Sequence, residues 1–204
     1  MYHPLLPSMP LPDTLHKAVF LDKDGTLVKD VPYNADPALV AFETDVFEGL
    51  RTLQGHGFKL VIISNQPGIS MGLFSQHELD NLIRFFEKKF TENGALLSGF
   101  YYCPHMPATA ETACSCRKPE PGLLLNAAQD LHIDLAASWM VGDILNDVEA
   151  GNRAGCRTVL INNGNETEWL SGPYRNPEYT ARYFRDATDY ITSQTASYDN
   201  QTVS

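Results

Sequence analysis

The stretch Ala18-Val-Phe-Leu-Asp-Lys-Asp-Gly-Thr-Leu27 decides how this chain folds. Its first four residues are apolar with no polar alternate, the pattern of a strand buried on both faces of a parallel sheet. The run then breaks on two carboxylates, Asp22 and Asp24, followed by Gly25, which permits a sharp turn. In open parallel sheets ligands bind at the carboxyl ends of strands, so chemistry is expected at this break. Asp22, at the strand end, could attack phosphorus in line, and Asp24, displaced by the turn, could protonate the leaving oxygen as general acid and base. A divalent cation would offset the repulsion between Asp22 and a phosphate. Asp-x-Asp-Gly strings also occur in surface turns and calcium loops, but a calcium loop needs further regularly spaced acids, which Thr26-Leu-Val28 does not supply.

Working outward, four more apolar runs read as strands: Leu60–Ile63, Gly99–Cys103, Trp139–Val141 and Thr158–Ile161. Between them lie helical periodicities: Val46, Leu50 and Leu53 before Gly55, then Leu79, Leu82, Ile83, Phe86 and Phe90 before Gly94. Ser75 with Glu78 forms a capping box for the second helix. Leu123, Leu124, Ala127 and Leu131 mark a third, and a fourth is expected from Asn146 to Ala154. The alternation implies an α/β fold, a single doubly wound parallel sheet. A length of 204 residues suits one domain. The expected division is a proline-rich extension over residues 1–16, the domain over 17–191 and a disordered tail over 192–204. Gly164–Pro177 reads as a loop, and Arg182–Ile191 as a last helix.

Two other strand ends carry polar signatures. After Ile63 comes Ser64-Asn-Gln-Pro-Gly68, whose hydroxyl and backbone amides could hold phosphate oxygens or could form only a polar turn. After Val141 comes Gly142-Asp-Ile-Leu-Asn-Asp147. There Asp143 could complete a magnesium site with Asp22 and the Asp24 carbonyl. Asp147 could support that site from outside it or compensate the helix N-terminus. Arg117-Lys-Pro119 opens a helix, and Lys118 could neutralise the phosphoryl group, although many basic pairs are simply solvated.

Three of the four cysteines cluster. Cys103, His105, Cys114 and Cys116 offer three thiolates and an imidazole over the loop 103–118, a closed tetrahedral set suited to structural zinc. The same cluster could stay reduced without metal. A disulfide fits the expected reducing cytoplasm poorly. No signal-peptide pattern and no apolar run of membrane-spanning length is present, so a cytoplasmic protein with no membrane partner is expected. The formal net charge of -10 and scattered Lys and Arg argue against a nucleic-acid partner.

Taken in order, Asp22-Lys-Asp-Gly-Thr26, Ser64-Asn-Gln66, Lys118-Pro119 and Gly142-Asp-x-x-x-Asp147 resemble the four motifs of the haloacid dehalogenase (HAD) superfamily. The resemblance covers roughly residues 17–161. The Cys-x-His and Cys-x-Cys pairs look like its zinc-loop branch, which holds the heptose bisphosphate and histidinol-phosphate phosphatases. That likeness implies a capless domain and an enzyme of a small phosphorylated metabolite, with catalytic Mg2+ and structural Zn2+; a monomer is expected. It implies Asp22 as nucleophile, Ser64 and Lys118 as phosphoryl stabilisers, and Arg117, Asp30, Tyr33, Asn65 and Gln66 as substrate contacts. The spacings near Tyr101–His105 and His132–Ser138 are closest to the heptose bisphosphate members, implying removal of the 7-phosphate. Met71 and Ile144 depart from residues frequent there, which bears on the sugar and not on phosphoryl transfer. Histidinol-phosphate hydrolysis, DNA 3′-phosphatase activity and an inactive zinc-stabilised binding protein are the alternatives.

Overall fold

A computed structural model describes residues 14–107 and 113–199, with side chains to residue 194 in the last helix. Its elements are β1 (Ala18–Leu21), α1 (Val46–Gly55), β2 (Lys59–Asn65), α2 (Gln76–Glu92), β3 (Leu97–Cys103), α3 (Gly122–Leu131), β4 (Trp139–Gly142), α4 (Leu145–Ala154), β5 (Arg157–Ile161), β6 (Tyr179–Ala181) and α5 (Phe184–Asp199). The strands form one parallel sheet in the order β3-β2-β1-β4-β5-β6. The chain builds outward from β1 to β3, then crosses back to start the other half at β4. The point of reversal therefore lies between β1 and β4, where a crevice opens at the strand ends.

Side-chain alternation sorts the core into two layers. Val19, Leu21, Leu60, Ile62, Trp139, Val141, Val159 and Ile161 face α1, α2 and α5. Ala18, Phe20, Val61, Ile63 and Met140 face α3 and α4. Both faces are covered, which is why the strands read as continuous apolar runs. The capping box of α2 forms as expected, with the Ser75 N–H donating to Glu78 Oε2 at 2.7 Å and the Glu78 N–H to Ser75 Oγ at 3.3 Å. Gly94 turns left-handed after α2, whereas α1 includes Gly55 and its left-handed turn falls on Gly57.

Three boundaries differ from expectation. His16 joins the domain, bonding across to His132 and Asp134 backbone at 2.8 Å each, so the extension is not separate to residue 16. Residues 1–13 lie outside the described residues. The strand β6 lies outside the runs that read as strands, its three residues being too few for a periodicity. Finally, α5 starts at Phe184 and continues to Asp199, so the tail expected from 192 begins as helix; residues 200–204 lie outside the description.

The α1/α2 layer centres on Phe86, fully buried with Phe42, Phe100 and Phe85 rings at 5.5, 5.9 and 6.1 Å. Phe86→Ala should destabilise the protein by about 3–5 kcal/mol in urea denaturation. A change no larger than that of an exposed substitution would contradict this packing.

Candidate active site

Asp22 follows β1 directly and its backbone N–H donates to Val141 O at 2.9 Å, locking the end of β1 to β4. Lys118 reaches the same point from the segment before α3, with 3% exposure. Its ammonium contacts Asp22 Oδ1, lies 2.6 Å from Asp147 Oδ1 and donates to Ile63 O at 2.9 Å. Burial pulls the Lys118 pKa down, but Asp147 and Asp22 together more than reverse that and hold it above its ordinary value. Asp147 Oδ1 meets Lys118, while Oδ2 accepts the Ile144 N–H at 3.3 Å at the start of α4, where a carboxylate complements the helix N-terminus. A side chain at Gly142 could not fit, since its Cβ would stand 2.2 Å from that of Asp147.

Asp143 sits across from Asp22 at 4% exposure. Asn165 Nδ2 donates to its Oδ2 at 2.6 Å, and Thr26 Oγ1 lies 3.4 Å from Oδ1. The turn between them demands glycine, because Gly25 has φ +80° and a Cβ there would come within 2.0 Å of Asp143 Oδ2. Ligand oxygens of Asp22, Asp143 and Asp147 lie within 4.8 Å of one another.

Asp24 points up from the same turn, ion-paired with the buried Lys23 ammonium at 2.5 Å and 3.4 Å from Gln66 Nε2. Burial raises its carboxyl pKa, with Lys23 pulling against it and Asp22 adding to it. Ser64 is buried beneath, its hydroxyl accepting from Gln66 Nε2 at 2.8 Å. Four carboxylates thus face two ammonium groups at the floor of the site. Oxygen donors in that excess suit a hard divalent cation such as magnesium, and without one a phosphate dianion would be repelled. With Asp147 engaged by Lys118, the Asp22 and Asp143 carboxylates and the Asp24 carbonyl could hold it.

Above this floor opens a cleft of about 330 Å³. Asp30, Tyr33, Asn65, Gln66 and Arg117, all expected as substrate contacts, line it together. Asn65 brackets the Lys118 backbone, accepting from its N–H at 3.1 Å and donating to its carbonyl at 3.2 Å. Lys23, Asn163, Asn165 and Glu166 were not anticipated. Burial of Lys23 had no periodic signal, and the other three fall in a stretch that reads only as a polar loop.

Cys103, His105, Cys114 and Cys116 converge on one another. His105 Nδ1 lies 3.2 Å from the Cys116 sulfur, and the sulfurs lie 3.2 to 3.7 Å apart. Those spacings approach the edges of a tetrahedron with metal–sulfur bonds of about 2.3 Å. All cysteines are free. Burial raises the Cys103 thiol pKa, and Cys114 comes down to about 7, where burial is outweighed by the Arg117 backbone N–H and neighbouring donors. Arg117 Nη1 donates back to His105 O at 3.2 Å, so the cluster is tied to the cleft wall.

The profile of the HAD-hydrolase-like family matches residues 115–187. The chain is 40% identical over 152 residues to the D-glycero-beta-D-manno-heptose-1,7-bisphosphate 7-phosphatase of Escherichia coli K12, covering 72% of this chain and 80% of that one. The Haemophilus ducreyi protein of the same name is 42% identical over 153 residues, 72% of this chain and 84% of its own. Among solved structures, a D,D-heptose 1,7-bisphosphate phosphatase from B. bronchiseptica, complexed with magnesium and phosphate, superposes with TM-score 0.76 at 25% identity, covering 87% of this chain and 99% of that chain. One from Burkholderia thailandensis shares the fold at TM-score 0.64 and 22% identity, with 87% and 99% covered.

Burial first, then Asp22 and Asp147, push Asp143 up to about 8, and burial pushes Asp147 up to about 6 against the pull of Lys118. An acid whose native pKa exceeds its unfolded value costs stability increasingly as pH rises from the unfolded value, 3.8, through the native one. A cation offsets that cost, while protons compete with it at lower pH. Added magnesium should therefore raise the thermal unfolding midpoint more at about pH 8 than at about pH 5. Equal gains at the two pH values would contradict this account of the carboxylates.

Proposed function

The chain belongs to the HAD-like hydrolases, and on that premise we propose that it is a magnesium-dependent phosphatase removing the 7-phosphate of D-glycero-D-manno-heptose 1,7-bisphosphate through an aspartyl-phosphate on Asp22. One observation carries the chemistry: a carboxylate at the sheet's switch point, fixed through one oxygen by a buried ammonium, with a second carboxyl beside it in the same cleft. The substrate rests on the likeness to the heptose bisphosphate phosphatases over most of the chain.

Asp22 Oδ1 is held by Lys118, which leaves Oδ2 to attack phosphorus. As the new P–O bond forms and the P–O bond to the sugar breaks, Asp24 gives its proton to the departing hydroxyl oxygen. A carboxyl pKa raised by burial suits that role. Asp24, now a carboxylate, takes a proton from water, whose oxygen attacks the phosphorus and expels Asp22. Two inversions at phosphorus give net retention. Lys118 offsets charge on Asp22 throughout, and Ser64 supports the phosphoryl end, its hydroxyl proton left free by accepting from Gln66. Magnesium, held by Asp22, the Asp24 carbonyl and Asp143, supplies Lewis acidity and charge neutralisation when bound. Arg117, Asp30, Tyr33, Asn65 and Gln66 contact the sugar phosphate.

The four-residue sulfur and nitrogen set holds structural zinc, and its loop positions Arg117 and Lys118. We place the enzyme in the cytoplasm as a monomer. No helix among the described residues is long and apolar enough to cross a membrane. The carboxylate excess of the floor and the net charge of -10 disfavour a nucleic-acid polyanion. An inactive binding role is disfavoured because Asp22, Asp24, Lys118 and Asp143 are all in place around one cleft.

Asp22→Asn should abolish magnesium-dependent phosphate release while leaving the far-ultraviolet circular dichroism unchanged; appreciable turnover by that variant would sink the mechanism. The wild type should show a higher kcat/KM for the heptose bisphosphate than for histidinol phosphate, and the reverse order would move the substrate assignment to the latter. For the metal loop, Cys116→Ser should lose zinc by elemental analysis and lower both the unfolding midpoint and the rate. Full activity and stability in zinc-free protein would remove its structural role.

A further inference from the structure

The segment between β5 and β6 touches the phosphoryl-transfer site at three points within four residues. Asn163 Nδ2 donates to Gly25 O at 2.7 Å, Asn165 Nδ2 donates to Asp143 Oδ2 at 2.6 Å, and the Leu145 N–H donates to Glu166 Oε2 at 2.7 Å. Gly25 belongs to the loop that leaves β1, Asp143 to the loop that leaves β4, and Leu145 opens α4 directly after it. The two loops stand on either side of the switch point, and among the described residues no strand pairing joins them beyond Asp22. Asn163 and Asn165 are fixed to each other, since Asn163 Oδ1 accepts the Asn165 N–H at 3.1 Å. The far end of the segment is fastened to α4, where Asn152 Nδ2 donates to Tyr174 O at 2.8 Å and Arg175 pairs with Glu149 at 3.2 Å.

Asp143 needs such a support. Besides Asn165, its carboxylate is met among the described residues only by the 3.4 Å contact of Thr26 from the β1 loop, and it faces Asp22 and Asp147, whose charges repel its own. The torsion that rotates a carboxylate about its last bond is broad, so an unsupported Asp143 would sample orientations away from the site. A neutral amide fixes one oxygen by a hydrogen bond without adding a positive charge that would compete with a cation. We propose that Asn165 is a positioning residue for magnesium: by holding Asp143 Oδ2 it orients that carboxylate toward the cation, with Asn163 and Glu166 keeping the segment in place. The proposal rests on the reading of Asp143 as a magnesium ligand.

Outer residues that orient a ligand are worth about 10- to 100-fold in metal affinity or activity. Magnesium affinity would be measured by titration calorimetry on the full chain with its zinc, for wild type, Asn165→Ala and Asn163→Ala. The expected result is an affinity weakened by about tenfold or more in Asn165→Ala and by less in Asn163→Ala. In both, kcat should return toward the wild-type value at saturating magnesium, and the unfolding midpoint of the magnesium-free protein should not move. Unchanged magnesium affinity in Asn165→Ala would overturn the positioning role and leave the phosphatase reading standing. A lowered magnesium-free midpoint with no rescue of kcat by excess magnesium would make Asn165 a structural residue and also overturn it. Failure of the wild type to bind magnesium at all would bring down both the proposal and the reading beneath it.

Discussion

An ammonium group enclosed by the protein, touching two carboxylates and a backbone carbonyl, is the constraint on which the rest of the site depends. Lys118 cannot leave its place without stranding Asp22 and Asp147 as buried charges, and breaking a buried pair from one side costs about 3–5 kcal/mol. Its three contacts belong to the ends of β1 and β2 and to α4, and its own backbone is bracketed by Asn65 at the end of β2. One side chain therefore brings together elements that lie far apart in sequence. The loop of cysteines ends two residues before it, so whatever orders that loop also fixes the direction from which the ammonium arrives.

The same site is electrostatically unfinished. Lys23 answers Asp24 and Lys118 is shared between Asp22 and Asp147, which leaves Asp143 with only neutral donors. Burial first, and then the charges of Asp22 and Asp147, raise its pKa. A fold selected for stability alone would gain by replacing one of these acids with an apolar residue. Keeping them makes sense if a cation and an anionic substrate complete the charge balance, so the destabilising feature and the functional one are the same set of oxygens.

Much of this was legible in the sequence because the chemistry sits at the ends of strands that are buried on both faces. Apolar runs located β1, β2, β4 and β5, and the polar residues that interrupt them located Asp22, Ser64 and Asp143. What escaped was set by contacts distant in sequence. β6 is three residues long and pairs only with β5. The helix α5 outruns its apolar positions, so its continuation to Asp199 left no periodic mark. Lys23 reads as a solvated residue between two acids, yet it is 1% exposed. Asn163, Asn165 and Glu166 look like turn residues, and only the folding of the β5–β6 segment over the β1 and β4 loops gives them partners. The contact of Asp147 with Lys118 was equally hidden, because it joins residues 29 positions apart, whereas its place at the start of α4 could be read from the sequence.

The floor and the rim of the cleft differ physically in a way that bears on how such a site can change substrate. Asp22, Asp143, Asp147 and Lys118 are buried and mutually dependent, so altering one disturbs the others. Tyr33 is 51% exposed in a left-handed turn with φ +55°, and Asp30 stands beside it on a loop with few buried contacts. Loop residues carried by a rigid scaffold can be exchanged with little effect on the core beneath. Arg117 lies between these regimes, reaching into the cleft while anchored to His105 of the cysteine loop. Its position is therefore set by the loop's own order rather than by the sheet. The buried charged cluster is thus built into the sheet ends, whereas the rim of the cleft is carried by segments that can vary without dismantling it.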